Sequence, residues 1–182
     1  MTLDRAGNLL GTLALVIADR TADAVDAAAG SSPSAASALS ALLHFLDAPS
    51  VDLLRQVLGL TSSGTVRLVD RLEQMGYVQR SPGRDGRSTS VTLTAAGRRA
   101  AQRISAARAE VLNDALGVLS AAEREEFEPL IGKVLAGLVR GPGAVRWLCR
   151  MCDTGVCGRE EGKCPVANAA RERYLLRPPT PA

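Results

Sequence analysis

The chain has 182 residues, 46% of them hydrophobic and 23% charged, which fits one domain of ordinary size with an appendage and excludes a disordered chain. Aromatic residues supply only 3%, so a core must be built from Leu, Val and Ala, a composition that favours helices over sheets. The net charge of +3 is unevenly spread: residues 67–108 hold nine arginines against three acids, and residues 109–138 hold six acids against Arg124 and Lys133, the pattern of a polyanion-binding face on a molecule that otherwise repels nucleic acid.

Residues 2–29 read as one long helix, with Leu3, Leu10, Leu13, Val16, Ile17 and Val25 near helical spacing. Its most apolar run, residues 9–18, is too short to span a bilayer and is flanked by Asp4, Arg5, Asp19 and Arg20. An acid so near the start argues against a signal peptide. Asp19, Asp23 and Asp26 would repel anionic lipid, so a cytoplasmic protein without a membrane partner is expected, and dimer contact is the better use of the leucines. Gly30-Ser31-Ser32-Pro33 breaks this helix, and residues 35–46 form a second, ended by Asp47-Ala48-Pro49. Ser50 caps a short third helix over 51–58, which Gly59 stops. Thr61 caps a fourth that runs to Met75, with Gly76 as its terminator.

Tyr77-Val78-Gln79-Arg80 suits a short strand, residues 81–87 are turn chemistry rich in Arg, and 88–93 alternate as a half-buried strand should. Thr94 caps a long helix that reaches about residue 119. Ser120 opens another, with Glu123 three residues later as in a capping box. Gly141-Pro142-Gly143 ends that helix and marks the clearest boundary in the chain. The last six residues hold three prolines and are expected to fray.

Two helices joined by a tight Gly-containing turn form the unit that lays its second helix in the DNA major groove. Here the turn is Leu58-Gly59-Leu60-Thr61. Winding the fourth helix at 100° per residue puts Val66, Leu68, Val69, Leu72 and Met75 on one apolar face, and Ser63, Arg67, Asp70, Arg71 and Gln74 opposite. A ribbon tipped by Arg84 and Arg87 can reach phosphates or the minor groove beside that helix, with Asp85 placed to brace the guanidinium or the turn. Arg67 is the candidate for base readout, and Ser62, Ser63 and Arg71 for phosphate contacts.

Leu58-Gly59-Leu60-Thr61-Ser62-Ser63, Arg67-Leu68-Val69-Asp70-Arg71-Leu72-Glu73 and Gly76-Tyr77-Val78 resemble the recognition helix of MarR-family regulators. Asp85-Gly86-Arg87 and Val91-Thr92-Leu93-Thr94-Ala95-Ala96-Gly97 are similar to that family's wing and the start of its next helix. The resemblance implies a mainly α fold, a winged helix-turn-helix with a small β-ribbon wing. It would occupy residues 1–140, with a DNA-binding core at about 34–97 and dimerisation helices at about 2–29 and 98–140. It implies a homodimer and with it a pseudo-palindromic operator on double-stranded DNA; a repressor is expected, and no residue constellation points to an enzyme. By resemblance Ser62, Ser63, Thr65 and Arg67 match positions that contact DNA, and Arg87 matches the wing-tip arginine. Gly64 departs from the family, where a larger residue is usual.

All four cysteines fall in one window, Cys149-x2-Cys152-x4-Cys157-x6-Cys164-Pro165, rather than being spread as a secreted disulfide framework would be. Residues 141–182 therefore read as a Cys-rich tail that binds metal or senses redox state. Four clustered thiolates suit tetrahedral zinc or an iron–sulfur cluster; the short first spacing favours zinc, Pro165 after the last cysteine favours iron–sulfur, and reversible disulfides are a third reading. The tail is not part of the general MarR pattern and suggests a metal or redox effector acting through the dimerising helices. A small-molecule effector is also open, although few aromatics are available to line its pocket. The alternative class is a winged-helix protein-interaction module with a zinc or iron–sulfur tail, acting as an assembly subunit; such a module has no need of Arg84 and Arg87 beside Arg67.

The single histidine, His44, is expected to be packed rather than a ligand, and no Ser-His or Cys-His set or Gly-rich phosphate loop is present. Trp147 is expected to pack the tail on the body, and Glu123, Glu125, Glu126 and Glu128 to form a solvated face.

Overall fold

Side-chain capping sets the helix starts. In the computed structural model, which describes residues 2–30, 32–83, 88–141 and 143–175, Asp4, Ser32, Ser50, Thr61, Thr94 and Ser120 each accept a hydrogen bond from a backbone N–H three residues ahead. Each such bond satisfies one of the donors a helix start leaves orphaned. The helices they open are α1 (Arg5–Ala29), α2 (Pro33–His44), α3 (Val51–Leu58), α4 (Ser62–Gln74), α5 (Ala95–Leu116) and α6 (Ala121–Gly137). The Ser120–Glu123 capping box is formed in both directions.

Between α4 and α5 lies a single antiparallel ribbon, β1 (Val78–Pro82) and β2 (Thr89–Leu93), paired from Val78↔Leu93 to Pro82↔Thr89. The backbone of Val91 donates to the carbonyl of Pro49 at 2.9 Å, and Ser50 forms a bridge with Ser90, so β2 also holds the turn before α3. Two short helices, α7 (Ala144–Leu148) and α8 (Pro165–Ala170), and a π-helical turn over Arg171–Leu175 complete the described chain.

The main core is built around α2, in which residues 35–42 are all buried. Leu54 and Leu58 of α3, Leu68, Val69 and Leu72 of α4, Val78 and Val91 of the ribbon, and Ala100, Ala101 and Ile104 of α5 close on it. The ribbon meets α5 at Gly97, where a Cβ would lie 1.8 Å from the carbonyl oxygen of Tyr77. Only glycine permits that approach.

A second apolar cluster joins Val139, Val145, Cys149, Cys164, Val166, Ala169 and Ala170. It straddles the boundary expected at Gly141-Pro142-Gly143, because α6 packs on α8. Apolar packing continues across this stretch of the chain. Helix α1 packs along α5 and buries only Val25, leaving Leu9, Leu10, Leu13, Leu15 and Val16 exposed. Helix α6 buries no residue, and Leu130, Ile131, Val134 and Leu135 are exposed on it.

Candidate nucleic-acid interface and thiol cluster

Gly59 ends α3 in the left-handed conformation (φ 65°), and Thr61 then starts α4 by accepting from the N–H of Gly64 at 3.1 Å. A Cβ on Gly64 would stand 3.0 Å from the Thr61 hydroxyl, so the small residue lets the cap sit close to the first turn. From this start the helix turns Ser62, Ser63, Arg67 and Arg71 to solvent.

Thr65, expected among the DNA contacts, is fully buried instead. Its hydroxyl donates to the Thr61 carbonyl at 2.9 Å, which satisfies the polar atom and lets the side chain join the core. The buried set is therefore Thr65, Leu68, Val69 and Leu72, spaced i, i+3, i+4, i+7. Val66 and Met75, expected on the apolar face, are 46% and 38% exposed. Val66 thus stands beside Arg67 on the open face, an apolar side chain of the kind that contacts a thymine methyl group in the major groove. The i, i+3, i+4, i+7 spacing that starts at Thr65 was the available signal; counting threonine as polar hid it.

Arg80 on β1 carries a role that sequence reading missed. Its guanidinium bonds Asp70 at 2.6 Å and also pairs with Glu73, and its backbone N–H donates to Glu73 at 3.2 Å. Burial alone would lower its pKa, but the hydrogen bonds from Asp70 and Glu73 carry it above the usual arginine value. These contacts lock the ribbon to α4 and offset part of the negative charge of two acids beside Arg67 and Arg71. Arg84, Asp85 and Arg87, expected at the ribbon tip, lie outside the described residues.

The four cysteines are brought together as free thiols, Cys149 and Cys164 buried, Cys152 and Cys157 half-buried. The Cys157 thiol donates to the Thr154 carbonyl at 3.6 Å, and Cys149 stands beside Cys152 and Cys157 beside Cys164, close enough to perturb one another's ionisation. The Cys149 thiol and cations at Arg108, Arg159 and Arg150 pull the Cys152 pKa down to about 6. The neighbouring Cys152 thiol and burial push Cys149 up, and burial beside Cys164 pushes Cys157 up. Among the described residues, no three His, Cys, Asp or Glu side chains already surround a common point at metal-ligand spacing.

Besides packing α8 on α6, the tail reaches the main core and the helix-turn-helix. Trp147 lies over the helix-turn-helix turn, its indole Nε1 3.1 Å from where a Cβ on Gly59 would stand, and the Arg150 guanidinium lies 4.7 Å from its ring centroid. Thr154 donates to the His44 carbonyl at 2.8 Å, while the half-buried His44 ring is 2.8 Å from the Ser105 hydroxyl and 3.8 Å from Asp153. Met151 packs against the main core. Beside Trp147 a cleft of about 710 Å³ opens between α3 and the tail, with Arg55, Arg140 and Arg146 on its walls.

Residues 29–88 match the family model described as MarR family. The HTH-type transcriptional regulator PrsX of Escherichia coli is 37% identical over 84 residues, 46% of this chain and 51% of PrsX. The chain thus spans about half the length of the curated relatives it matches. A MarR family protein from Bacillus stearothermophilus superposes with a TM-score of 0.66 at 26% identity, over 73% of this chain and 92% of that one. A MepR variant from Staphylococcus aureus, solved bound to an oligodeoxyribonucleotide, shares the fold at 17% identity and a TM-score of 0.56, over 75% of this chain and 99% of that one.

Proposed function

We propose that the chain is a homodimeric, sequence-specific DNA-binding transcriptional regulator of the MarR family that acts as a repressor, a reading supported by the match of residues 29–88 to the MarR family model and by the fold shared with the Bacillus stearothermophilus protein. One observation carries the reading. Helix α4 is anchored by Thr65, Leu68, Val69 and Leu72 while Ser62, Ser63, Arg67 and Arg71 stand free on its outer side. A helix held rigidly by one face and carrying hydroxyls and guanidinium groups on the other suits the major groove.

Arg67 donates two hydrogen bonds to a guanine edge, Val66 covers a neighbouring thymine methyl, and Ser62, Ser63 and Arg71 hold phosphates that fix the register. Arg84 and Arg87 extend the grip from the ribbon tip. Two such helices on a two-fold axis select a pseudo-palindromic site. The exposed leucines of α1 and α6 fit a second copy of the chain, since apolar rows of this length on a helix seldom face water without a partner. Bound over a promoter, such a dimer represses by occupancy. Residues 1–140 form the DNA-binding and dimerising part, and residues 141–182 the regulatory tail. Among the described residues no helix is long and apolar enough to cross a membrane, and the protein acts in the cytoplasm, where its DNA is.

The test is selection of bound sequences from a random duplex pool, followed by titration of the selected site. An inverted repeat, bound by two chains, is expected. Leu130→Glu should give monomers in sedimentation velocity and lose the inverted repeat. Recovery of no preferred sequence at low salt would overturn the reading in favour of a protein-interaction module.

A further inference from the structure

We propose that Cys149, Cys152, Cys157 and Cys164 bind one zinc ion as a tetrathiolate site, and that the loaded site holds Trp147 against Gly59 in the helix-turn-helix turn. The metal site stands on its own; only its consequence for DNA rests on the function proposed above.

Four side chains from a 16-residue stretch meet in one place. Cys149 closes α7 and Cys164 opens α8, so each helix delivers one buried thiol to the cluster. Cys152 and Cys157 come from the loop between them, which reverses at Gly158 (φ 61°) and Gly162 (φ 71°). The Cys149 and Cys152 thiols stand beside one another, as do those of Cys157 and Cys164. The short Cys149-x2-Cys152 spacing is typical of zinc sites. Val139, Val145 and Val166 pack around the buried Cys149 and Cys164, and thiolates around one zinc are the closed, four-coordinate arrangement of structural sites. Coordination displaces the thiol protons to solvent and leaves a net negative centre. Arg108, Arg150 and Arg159 stand around the thiols to balance it. No three ligands already stand at coordination spacing among the described residues, so the ion draws the loop inward as it binds.

That movement has a route to the DNA-binding face. Trp147 precedes Cys149 by two residues on the five-residue α7, and its indole rests on Gly59, the residue that sets the angle between α3 and α4. Fixing Cys149 fixes α7, and with it the indole that braces the turn.

The experiment uses the full chain, reduced and stripped with a chelator, then titrated with zinc against a chromophoric competitor and, separately, with cobalt. One zinc per chain and the intense visible absorption of tetrahedral thiolate-bound cobalt are expected. Cys157→Ser, at a half-buried position, should keep the helical circular dichroism yet weaken zinc by more than the roughly tenfold to hundredfold that loss of an outer-shell partner costs. Because Trp147 is the chain's single tryptophan, its emission should shift on loading in the parent chain and not in Cys157→Ser. No zinc bound by four reduced thiols, or a brown iron-containing protein, overturns the site. Zinc bound with unchanged emission overturns the brace. None of these measurements involves DNA, so their failure is separable from failure of the regulator reading, which the duplex selection tests.

Discussion

The helix-turn-helix and the cysteine tail present opposite surfaces to their surroundings. In the first, an apolar face is spent on the core and the polar groups, Ser63, Arg67 and Arg71, are held out to solvent. In the second, the reactive groups are turned inward, with Cys149 and Cys164 inside an apolar cluster. One arrangement suits a large charged partner that arrives from outside; the other suits a small ion that must be wrapped. The two regions nevertheless touch, through Trp147 on Gly59 and Thr154 on His44, so the contrast bears on whether they behave as one unit.

The largest effect should come from Gly97→Ala. Its Cβ would enter the space of the Tyr77 carbonyl, and no flexible side chain can yield there. A loss of about 3 kcal/mol or more is expected in chemical denaturation. Following Trp147 emission and helical circular dichroism together then sharpens the comparison: coincident transitions mean core and tail unfold as one unit, and a separate Trp147 transition means they do not.

Next is Arg67→Ala, which should relax specificity at one base position in each half-site by about 1–3 kcal/mol while leaving the tail's zinc affinity unchanged. Unchanged sequence preference, read by titrating single-base variants of the selected site, would remove Arg67 from base readout. Arg71→Ala should instead weaken all sequences alike and lower the salt slope by about 1.

A smaller change is expected of Gly59→Ala, which places a side chain at φ 65° and against the Trp147 indole. About 1–2 kcal/mol of stability should be lost, with a shift in tryptophan emission even in the metal-loaded protein. An unchanged spectrum would mean the two regions are in contact without being coupled.

The smallest is Thr94→Ala. The Thr94 hydroxyl donates to the Gly76 carbonyl at 2.6 Å and accepts from the Gly97 N–H at 3.0 Å. Its loss should cost about 1 kcal/mol and spare DNA specificity.

What the sequence made legible was local. Ser50, Thr61, Thr94 and Ser120 cap helices because their side chains reach a donor three residues ahead, and nothing distant can alter that. The fold class and the outward placement of Ser63 and Arg67 follow from the same short-range rules. Three features escaped because they depend on where the chain returns. Arg80 meets Asp70 and Glu73 only when the ribbon folds back on α4. Thr65 enters the core because its hydroxyl finds the Thr61 carbonyl, so a residue scored as polar behaves as apolar. The tail joins α6 through Val139 and Val166, across a glycine-rich turn that locally resembles a boundary.

Helix α2 has a consequence for how this chain can change over generations. Its residues 35–42 are buried on every side, and six of the eight are alanine or serine, so neighbouring backbones come close and one added methylene has nowhere to go. A helix without a solvent face cannot accumulate silent substitutions. Diverged relatives should therefore keep this run of small residues while the outer rows of α1 and α6 drift, and α2 is the segment by which distant descendants would still be recognised.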